Sequence, residues 1–355
     1  MVKNKIYQYF FKEFFKIFLL VSLSISILIW ITQATRLLEL ITEFGNPVEV
    51  YIKYLILIYP KILDNTFLLS YLISIFFLFS KLDSAKELNI YWLSGISKYK
   101  IYKITLIIST LIIILNLLLS IFLAPNSSYL ARMVLGDSKF SLINSLVKEK
   151  NFNTPLKGLT IYVERNDKKG NLQNIFIYEK ERTIIANFGR VIEQGEDTFL
   201  ELSNGFTQEK LGNKLNYINF NKTIFDFSKY RLRNIKYPKY DERNIGWIVL
   251  NMNNKNISTF EEIREEFNKR IIKPFFSLII GLLGCMLLFT NNEKINIFKY
   301  KIIIYLLSVM FLVFNQAIIG LSGKSYLYSI YYASFIFIQF LIVNFILKKL
   351  VLFSQ

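Results

Sequence analysis

The sequence contains no histidine and only one cysteine, Cys285. A single cysteine excludes a disulfide within the chain. The absence of histidine removes the most common general base and metal ligand, which excludes catalysis of the Ser-His or zinc type. A Ser-Lys hydrolase stays open, although no serine and lysine share an obvious buried apolar setting. Cys285 itself lies among leucine, glycine and methionine, which predicts an inert core residue.

Apolar residues are abundant instead. Of the 355 residues, 53% are hydrophobic and 16% are aromatic. The mean hydropathy is +0.36, which exceeds that of an ordinary soluble protein and predicts a membrane protein. Four lysines precede an apolar run over residues 17–31 that has no small-residue cleavage site. The N-terminus is therefore predicted to form an uncleaved first span and not a signal peptide.

Six hydrophobic runs are close to the ~20 residues that cross a bilayer core. They lie at residues 14–35, 62–80, 101–123, 272–290, 301–320 and 327–347. The long stretch between the third and fourth runs is polar enough to fold in water. We therefore predict three domains: residues 1–123 with spans 1–3, residues 124–270 as an inserted domain, and residues 271–355 with spans 4–6.

The formal net charge of +17 could suggest nucleic acid, but the lysines follow the membrane topology. One side of the predicted membrane carries the N-terminal lysines and Lys81, Lys86, Lys98, Lys100, Lys294, Lys299, Lys301, Lys348 and Lys349. The alternate short loops carry little beyond Arg36, Lys53 and Lys324. This asymmetry predicts that both termini are cytoplasmic and that the inserted domain lies outside, and it accounts for much of the charge without nucleic acid.

The inserted domain changes from helical to alternating periodicity. Residues 159–164 and 172–179 alternate on either side of a polar turn, which predicts a β-hairpin. Further short runs lie at residues 183–186, 190–193, 198–202, 206–209, 215–220 and 223–227. Many short strands separated by Gly, Asn and Asp predict a β-sandwich or jelly roll.

Residues 83–97, DSAKELNIYWLSGIS, form a polar and apolar mixture between spans 2 and 3. Ser84 and Glu87 have the spacing of a capping box, and Gly95 is a natural C-terminal stop. One face of the predicted helix, of about three turns, is apolar and aromatic: Leu88, Tyr91 and Trp92. Because it is too short and polar to cross a membrane, the helix is expected to lie on the surface or to fit into a partner.

Several local stretches, taken with this order of spans and domain, resemble a known family. They are QATR at residues 33–36, residues 87–98, APNSS at residues 124–128, and Glu266, Asn268, Arg270 and Ile271. The chain resembles the LptF/LptG (YjgP/YjgQ) lipopolysaccharide-export permeases over nearly its whole length. Residues 158–182 and 266–271 look more like the LptF branch.

The resemblance implies a membrane α-helical bundle with an inserted β-jellyroll domain in the periplasm. It implies the permease subunit of an ABC exporter that takes lipopolysaccharide from the bacterial inner membrane. The implied partners are an LptG-like permease, an LptB-like ATPase dimer, an LptC-like membrane protein and an LptA-like periplasmic bridge. This chain would have no catalytic residue, metal or cofactor of its own, because the partner ATPase binds ATP and magnesium.

The resemblance also implies roles for particular residues. The ATPase-coupling residues would be Ser84, Glu87, Leu88, Trp92 and Gly95. Arg36 and Gln33, at the end of span 1, would contact the phosphorylated glycolipid. The residues alone leave two other functions open. An envelope scaffold would need no ATPase-docking helix, and an intramembrane hydrolase would need a nucleophile whose mutation abolishes turnover.

Overall fold

A computed structural model describes residues 2–38, 48–138, 149–156, 158–167, 171–179, 182–194, 197–211, 214–226, 238–252, 260–289 and 297–353. Within these ranges, six helical segments are long and apolar enough to cross a membrane. They are Tyr7–Leu37, Val48–Ser84, Lys98–Val134, Phe260–Leu288, Phe298–Ser322 and Tyr326–Lys349. The predicted six spans around an inserted β domain are therefore confirmed.

The first group of helices comprises α1 (Val2–Leu37), α2 (Val48–Ser84), the short α3 (Glu87–Leu93) and α4 (Lys98–Leu118). Span 3 continues from α4 through a π-helix at Leu119–Leu123 into α5 (Ala124–Ser138). Helix α2 continues across Pro60, so residues 48–59 form a helical extension of span 2 although an internal proline removes one backbone hydrogen bond.

The second group begins with a 3₁₀ turn at Tyr240–Glu242 and the short helix α6 (Ile245–Asn251), both of which precede span 4. Span 4 runs through α7 (Phe260–Phe267), a second π-helix at Asn268–Ile272, a 3₁₀ turn at Lys273–Phe275, α8 (Phe276–Cys285) and a 3₁₀ turn at Met286–Phe289. Spans 5 and 6 are α9 (Ile297–Ser322) and α10 (Tyr326–Phe353).

The helices bury a large aromatic and aliphatic core with a few polar links. Tyr71 of α2 is fully buried, and its hydroxyl shares a 2.8 Å hydrogen bond with Oγ of Ser109 in α4. Gly281 of α8 faces this pair, and a Cβ there would meet Ser109 Oγ at 2.1 Å. The glycine therefore lets span 4 approach spans 2 and 3 closely, as small residues do between membrane helices.

The described strands form one antiparallel sheet in the order β1-β2-β3-β4-β5-β6. They are β1 (Asn153–Leu156), β2 (Leu159–Asn166), β3 (Asn171–Glu179), β4 (Arg182–Gln194), β5 (Asp197–Leu211) and β6 (Lys214–Asp226). The predicted hairpin is confirmed, because Leu159 pairs with Glu179 at the open end of β2 and β3. Inward side chains, such as Ile161, Val163 and Ile177, build a separate core. These six strands pair in sequence order within one sheet, so the second sheet and the crossing connections of a jelly roll stay a prediction.

The six short runs predicted after residue 180 are three long strands. Gly189 and Gly205, which suggest strand breaks in the sequence, lie inside β4 and β5. A Cβ at Gly205 would come within 2.1 Å of the backbone oxygen of Ile185 on the neighbouring strand. These glycines allow close packing between strands and do not end them.

By its contacts the chain divides into two compact units. The first comprises residues 1–31, 58–129 and 238–355, and the second comprises residues 32–57 and 130–237.

Candidate functional site

The predicted coupling helix is present, but it is shorter than the sequence suggests. Helix α2 continues through Ser84, and α3 begins only at Glu87, after Lys86 in the left-handed conformation (φ 57°). The seven residues of α3 make about two turns, not three. Gly95, with φ 72°, follows the helix, and its amide donates to the Trp92 oxygen at 3.0 Å. The predicted glycine stop is therefore confirmed.

The predicted capping box is wrong. The hydroxyl of Ser84 donates to the backbone oxygen of Ser80 at 2.8 Å, within the last turn of α2. No side chain caps α3, and the Glu87 carboxylate instead accepts a long 3.4 Å hydrogen bond from the Tyr9 hydroxyl of α1. Glu87 is therefore a link between α3 and span 1.

The two faces of α3 differ sharply. Leu88 and Tyr91 are buried at 5% and 6% exposure, and half-buried Trp92 packs against the same core. Ile90 and Leu93 are 58% and 88% exposed on the opposite side. The apolar face that the sequence predicts is thus confirmed as the face that anchors α3. The face available to a partner carries Ile90 and Leu93, which the sequence reading does not single out.

Ion pairs surround α3 and hold its neighbours together. Lys81 of α2 pairs with Glu13 of α1 at 2.8 Å, and Asp83 of α2 pairs with Lys301 of α9 at 2.5 Å. Both links flank the residues that lead into α3. A displacement of α3 would therefore be felt by spans 1, 2 and 5.

The Tyr91 side chain keeps its proton in this environment. Burial, together with the nearby negative charges, Glu87 first among them, raises the pKa of the Tyr91 hydroxyl to about 12. A neutral phenol leaves the carboxylates to carry the negative charge next to α3.

The predicted glycolipid-binding residues lie in the last turns of α1. The Arg36 side chain is exposed, and Gln33, about one turn earlier, is half-buried. The neighbouring Ala34 oxygen accepts a 2.8 Å hydrogen bond from the Tyr51 hydroxyl of α2. The structure therefore places Arg36 and Gln33 at one end of span 1. Their role in binding stays a prediction.

A polar network lies at the end of the helical unit opposite α3, and the sequence analysis predicts none of its contacts. Arg270, in the second π-helix, is only 3% exposed. Its guanidinium donates to Glu266 at 2.8 Å, to the Arg243 oxygen at 2.6 Å and to the Tyr240 oxygen at 3.3 Å. This one side chain thus joins span 4 to the segment that precedes it.

The two π-helices are joined across spans 3 and 4. Ser120 of the first donates its hydroxyl to the backbone oxygen of Arg270 in the second at 3.1 Å. Asn268 is fully buried and donates to Ser322 and Ser329 at 2.7 and 3.0 Å, which ties span 4 to the turn between spans 5 and 6. Polar residues inside or directly next to apolar runs are the signal that could have revealed this network.

Comparison with known proteins supports the same architecture. The family model for "Lipopolysaccharide export system permease LptF/LptG" matches residues 8–349. The "Uncharacterized protein RP871" of Rickettsia prowazekii (strain Madrid E) is 24% identical over 292 residues, covering 78% of this chain and 79% of that protein. The family match extends through all six spans and the inserted sheet. The chain therefore belongs to the LptF/LptG family of lipopolysaccharide-export permeases, which are multi-pass membrane transport proteins.

Proposed function

We propose that this chain is the permease subunit of an ABC exporter. It extracts lipopolysaccharide from the bacterial inner membrane and passes it to a periplasmic bridge. A separate LptB-like ATPase dimer hydrolyses ATP with magnesium, and an LptG-like permease completes the membrane pore. LptC-like and LptA-like proteins receive the lipid beyond it. The lysine distribution supports cytoplasmic termini and a periplasmic β domain.

The observation that carries this proposal is the division of α3 into a buried and an exposed face. Its buried face fixes α3 to the bundle core through Leu88 and Tyr91. Its other face leaves two neighbouring apolar side chains, Ile90 and Leu93, 58% and 88% exposed. Contact with a nucleotide-binding subunit would remove this apolar surface from water, which favours docking.

Coupling follows from the contacts around α3. ATP binding that moves the partner ATPase would move α3, and the links from Glu87 to Tyr9 and from Asp83 to Lys301 would pass the movement to spans 1 and 5. The ATPase then biases two arrangements of the same helices. Glu87 acts in this scheme from within the permease, and Ile90 and Leu93 make the outer contact.

The experiment separates docking from coupling. The tagged chain is purified from its native membranes in mild detergent, and co-purifying ATPase and lipopolysaccharide-dependent ATP hydrolysis are measured. We expect Leu93→Asp to lose the ATPase subunit. We expect Glu87→Ala to keep it but to uncouple hydrolysis from export.

Lys53→Gln, on an exposed ion pair of α2, is the control and should behave as wild type. A chain that purifies alone, or only with envelope proteins, would contradict the exporter proposal and favour the scaffold. Export by Glu87→Ala at the wild-type rate and protein level would remove Glu87 from the mechanism.

Arg36, supported by Gln33, is the proposed first contact for the phosphorylated glycolipid. An exposed guanidinium binds a phosphate through two parallel hydrogen bonds, which a lysine cannot reproduce. Arg36→Glu should weaken lipid capture by about 1 to 3 kcal/mol, and Arg36→Lys by less. Photocrosslinking of lipopolysaccharide in membranes measures this difference. Equal crosslinking of Arg36→Glu and wild type would refute the assignment.

A further inference from the structure

A polar cavity of about 230 Å³ lies within the helical unit, between spans 2, 3, 4 and 5 at the end opposite α3. This is far more than the roughly 10–15 Å³ that one water needs. It is also below the roughly 300–1,000 Å³ of pockets that enclose a drug-sized ligand. The volume therefore suits a small polar group and not a saccharide chain.

Most charges on the cavity wall are already committed to ion pairs. Lys61 pairs with Asp241 at 2.5 Å. Arg270 pairs with Glu266 at 2.8 Å, and Lys269 pairs with Glu265, outside the wall, at 2.6 Å. The two charges within each pair neutralise each other, so these side chains leave little charge for a ligand.

Two charged side chains on the wall differ from the rest. Asp64 of α2 and Lys273 of span 4 both line the cavity, and their opposite charges attract each other. Among the residues that the structure describes, neither has a hydrogen bond or a direct ion pair. The cavity thus offers one negative and one positive group to whatever fills it.

Asn116 of α4 gives an independent indication of a ligand. It is 4% exposed and lines the cavity, yet its side-chain amide has no hydrogen-bond partner within the described part of the chain. Buried amides are normally hydrogen-bonded, because an unmet donor or acceptor costs free energy. The amide can donate to one ligand oxygen and accept from another donor.

From this arrangement we propose that the cavity binds the zwitterionic headgroup of a phospholipid, of the phosphoethanolamine class. The phosphate accepts hydrogen bonds from Lys273 and Asn116, and the primary ammonium donates to Asp64. A choline headgroup has no N–H to donate to Asp64. An anionic headgroup has no ammonium to pair with the Asp64 carboxylate, which would repel it.

The surroundings suit a lipid that remains in the bilayer. Phe122 on span 3 and Phe275 on span 4 are 58% and 44% exposed, and each lies within a few residues of the cavity wall. They offer apolar surface to acyl chains while the headgroup occupies the polar space. The bound lipid would brace the junction of the two π-helices and would be a resident component, distinct from the exported cargo.

The test measures lipid retention and needs neither cargo nor ATP, so its outcome is independent of the export proposal. The full chain, purified with its native membrane assembly, is equilibrated with equal parts of phosphatidylethanolamine, phosphatidylcholine and phosphatidylglycerol. Native mass spectrometry then counts the lipids that remain bound. We expect wild type to retain phosphatidylethanolamine at least three-fold above each of the other two.

The variants distinguish the two charged contacts. Asp64→Asn should shift the preference toward phosphatidylglycerol, because it removes the partner of the ammonium and the repulsion of an anion. Lys273→Gln should abolish retention of all three lipids above background, because each headgroup carries the phosphate that Lys273 would contact. Lys53→Gln is the matched control, since it removes an exposed lysine of α2 and should retain the wild-type pattern.

A smaller change guards against variants that fail to fold. Asn116→Ala keeps every charge and should lower the phosphatidylethanolamine enrichment at least two-fold. The proposal is overturned if wild type retains the three lipids in equal amounts. It is also overturned if the enrichment persists unchanged in folded Asp64→Asn or in Asn116→Ala.

Discussion

Two of the described ion pairs between residues four apart differ strongly in burial, and they should differ in energetic value. Glu266 and Arg270 are four residues apart and 2.8 Å from each other, with exposed side-chain fractions of 15% and 3%. Glu49 and Lys53 have the same spacing at 2.7 Å, but are 75% and 61% exposed. A buried pair that loses one partner leaves an uncompensated charge, whereas an exposed pair returns to water.

Arg270→Met removes three hydrogen bonds and leaves the Glu266 carboxylate without its partner. We expect a loss of about 3 to 5 kcal/mol in the free energy of unfolding. The double variant with Glu266→Gln should recover about 1 to 3 kcal/mol of this loss, because it removes the stranded charge but not the two unmet carbonyls. Unfolding by SDS in mixed micelles measures both values.

The exposed pair provides the control for these substitutions at the buried pair. Lys53→Gln should leave the unfolding transition unchanged, since many exposed ion pairs contribute nothing measurable. The reasoning is wrong if Arg270→Met costs less than about 1 kcal/mol, because that is the scale of one ordinary hydrogen bond. It also fails if the two substitutions at the buried pair are simply additive, since residues in direct contact should couple.

Two further predictions concern acid and glycine. The pKa of Asp241 is lowered: burial acts to raise it, but the hydrogen bond and charge of Lys61 outweigh burial. The ionised Asp241 carboxylate stabilises the fold above its ordinary pKa of 3.8, and this stabilisation is lost as the pH falls through the lower folded pKa. Lys61→Gln should therefore reduce the fall of the unfolding midpoint between neutral and acid pH. An equal fall in the variant and in wild type would contradict this prediction. Gly205→Ala should cost about 1 to 3 kcal/mol, because the new Cβ meets the Ile185 backbone oxygen. Gly320→Ala, inside α9 with nothing within 4 Å, should be neutral or stabilising in the same unfolding assay, and equal effects would refute the steric argument.

The architecture could be predicted from the sequence because its signals are local. A run of about 20 apolar residues is sufficient to indicate a span, and alternation over residues 159–164 and 172–179 is sufficient to indicate a hairpin. Tertiary contacts decide the details that failed. Lys81 and Asp83 pair with α1 and α9, and these links accompany a helical last turn in α2 that includes Ser84. Ser84 is therefore not available as the cap of α3.

The candidate sites were predictable only in part. The sequence identifies the anchored face of α3 through its periodicity, but the exposed Leu93 looks like any other leucine. The cavity brings together Asp64, Asn116 and Lys273, which lie on three different spans. No local pattern joins residues so far apart. Their polarity within otherwise apolar runs is the one signal that the sequence provides.

The π-helices at Leu119–Leu123 and Asn268–Ile272 change which residues of spans 3 and 4 share one face of the helix. Each π-turn holds one residue more than an α-turn, and one residue corresponds to about 100° of rotation around the helix axis. The residues before and after each turn therefore follow different helical wheels. A residue deleted from Leu119–Leu123 would rotate the two parts of span 3 relative to each other. This rotation would break the hydrogen bond between Ser120 of span 3 and the Arg270 backbone oxygen of span 4.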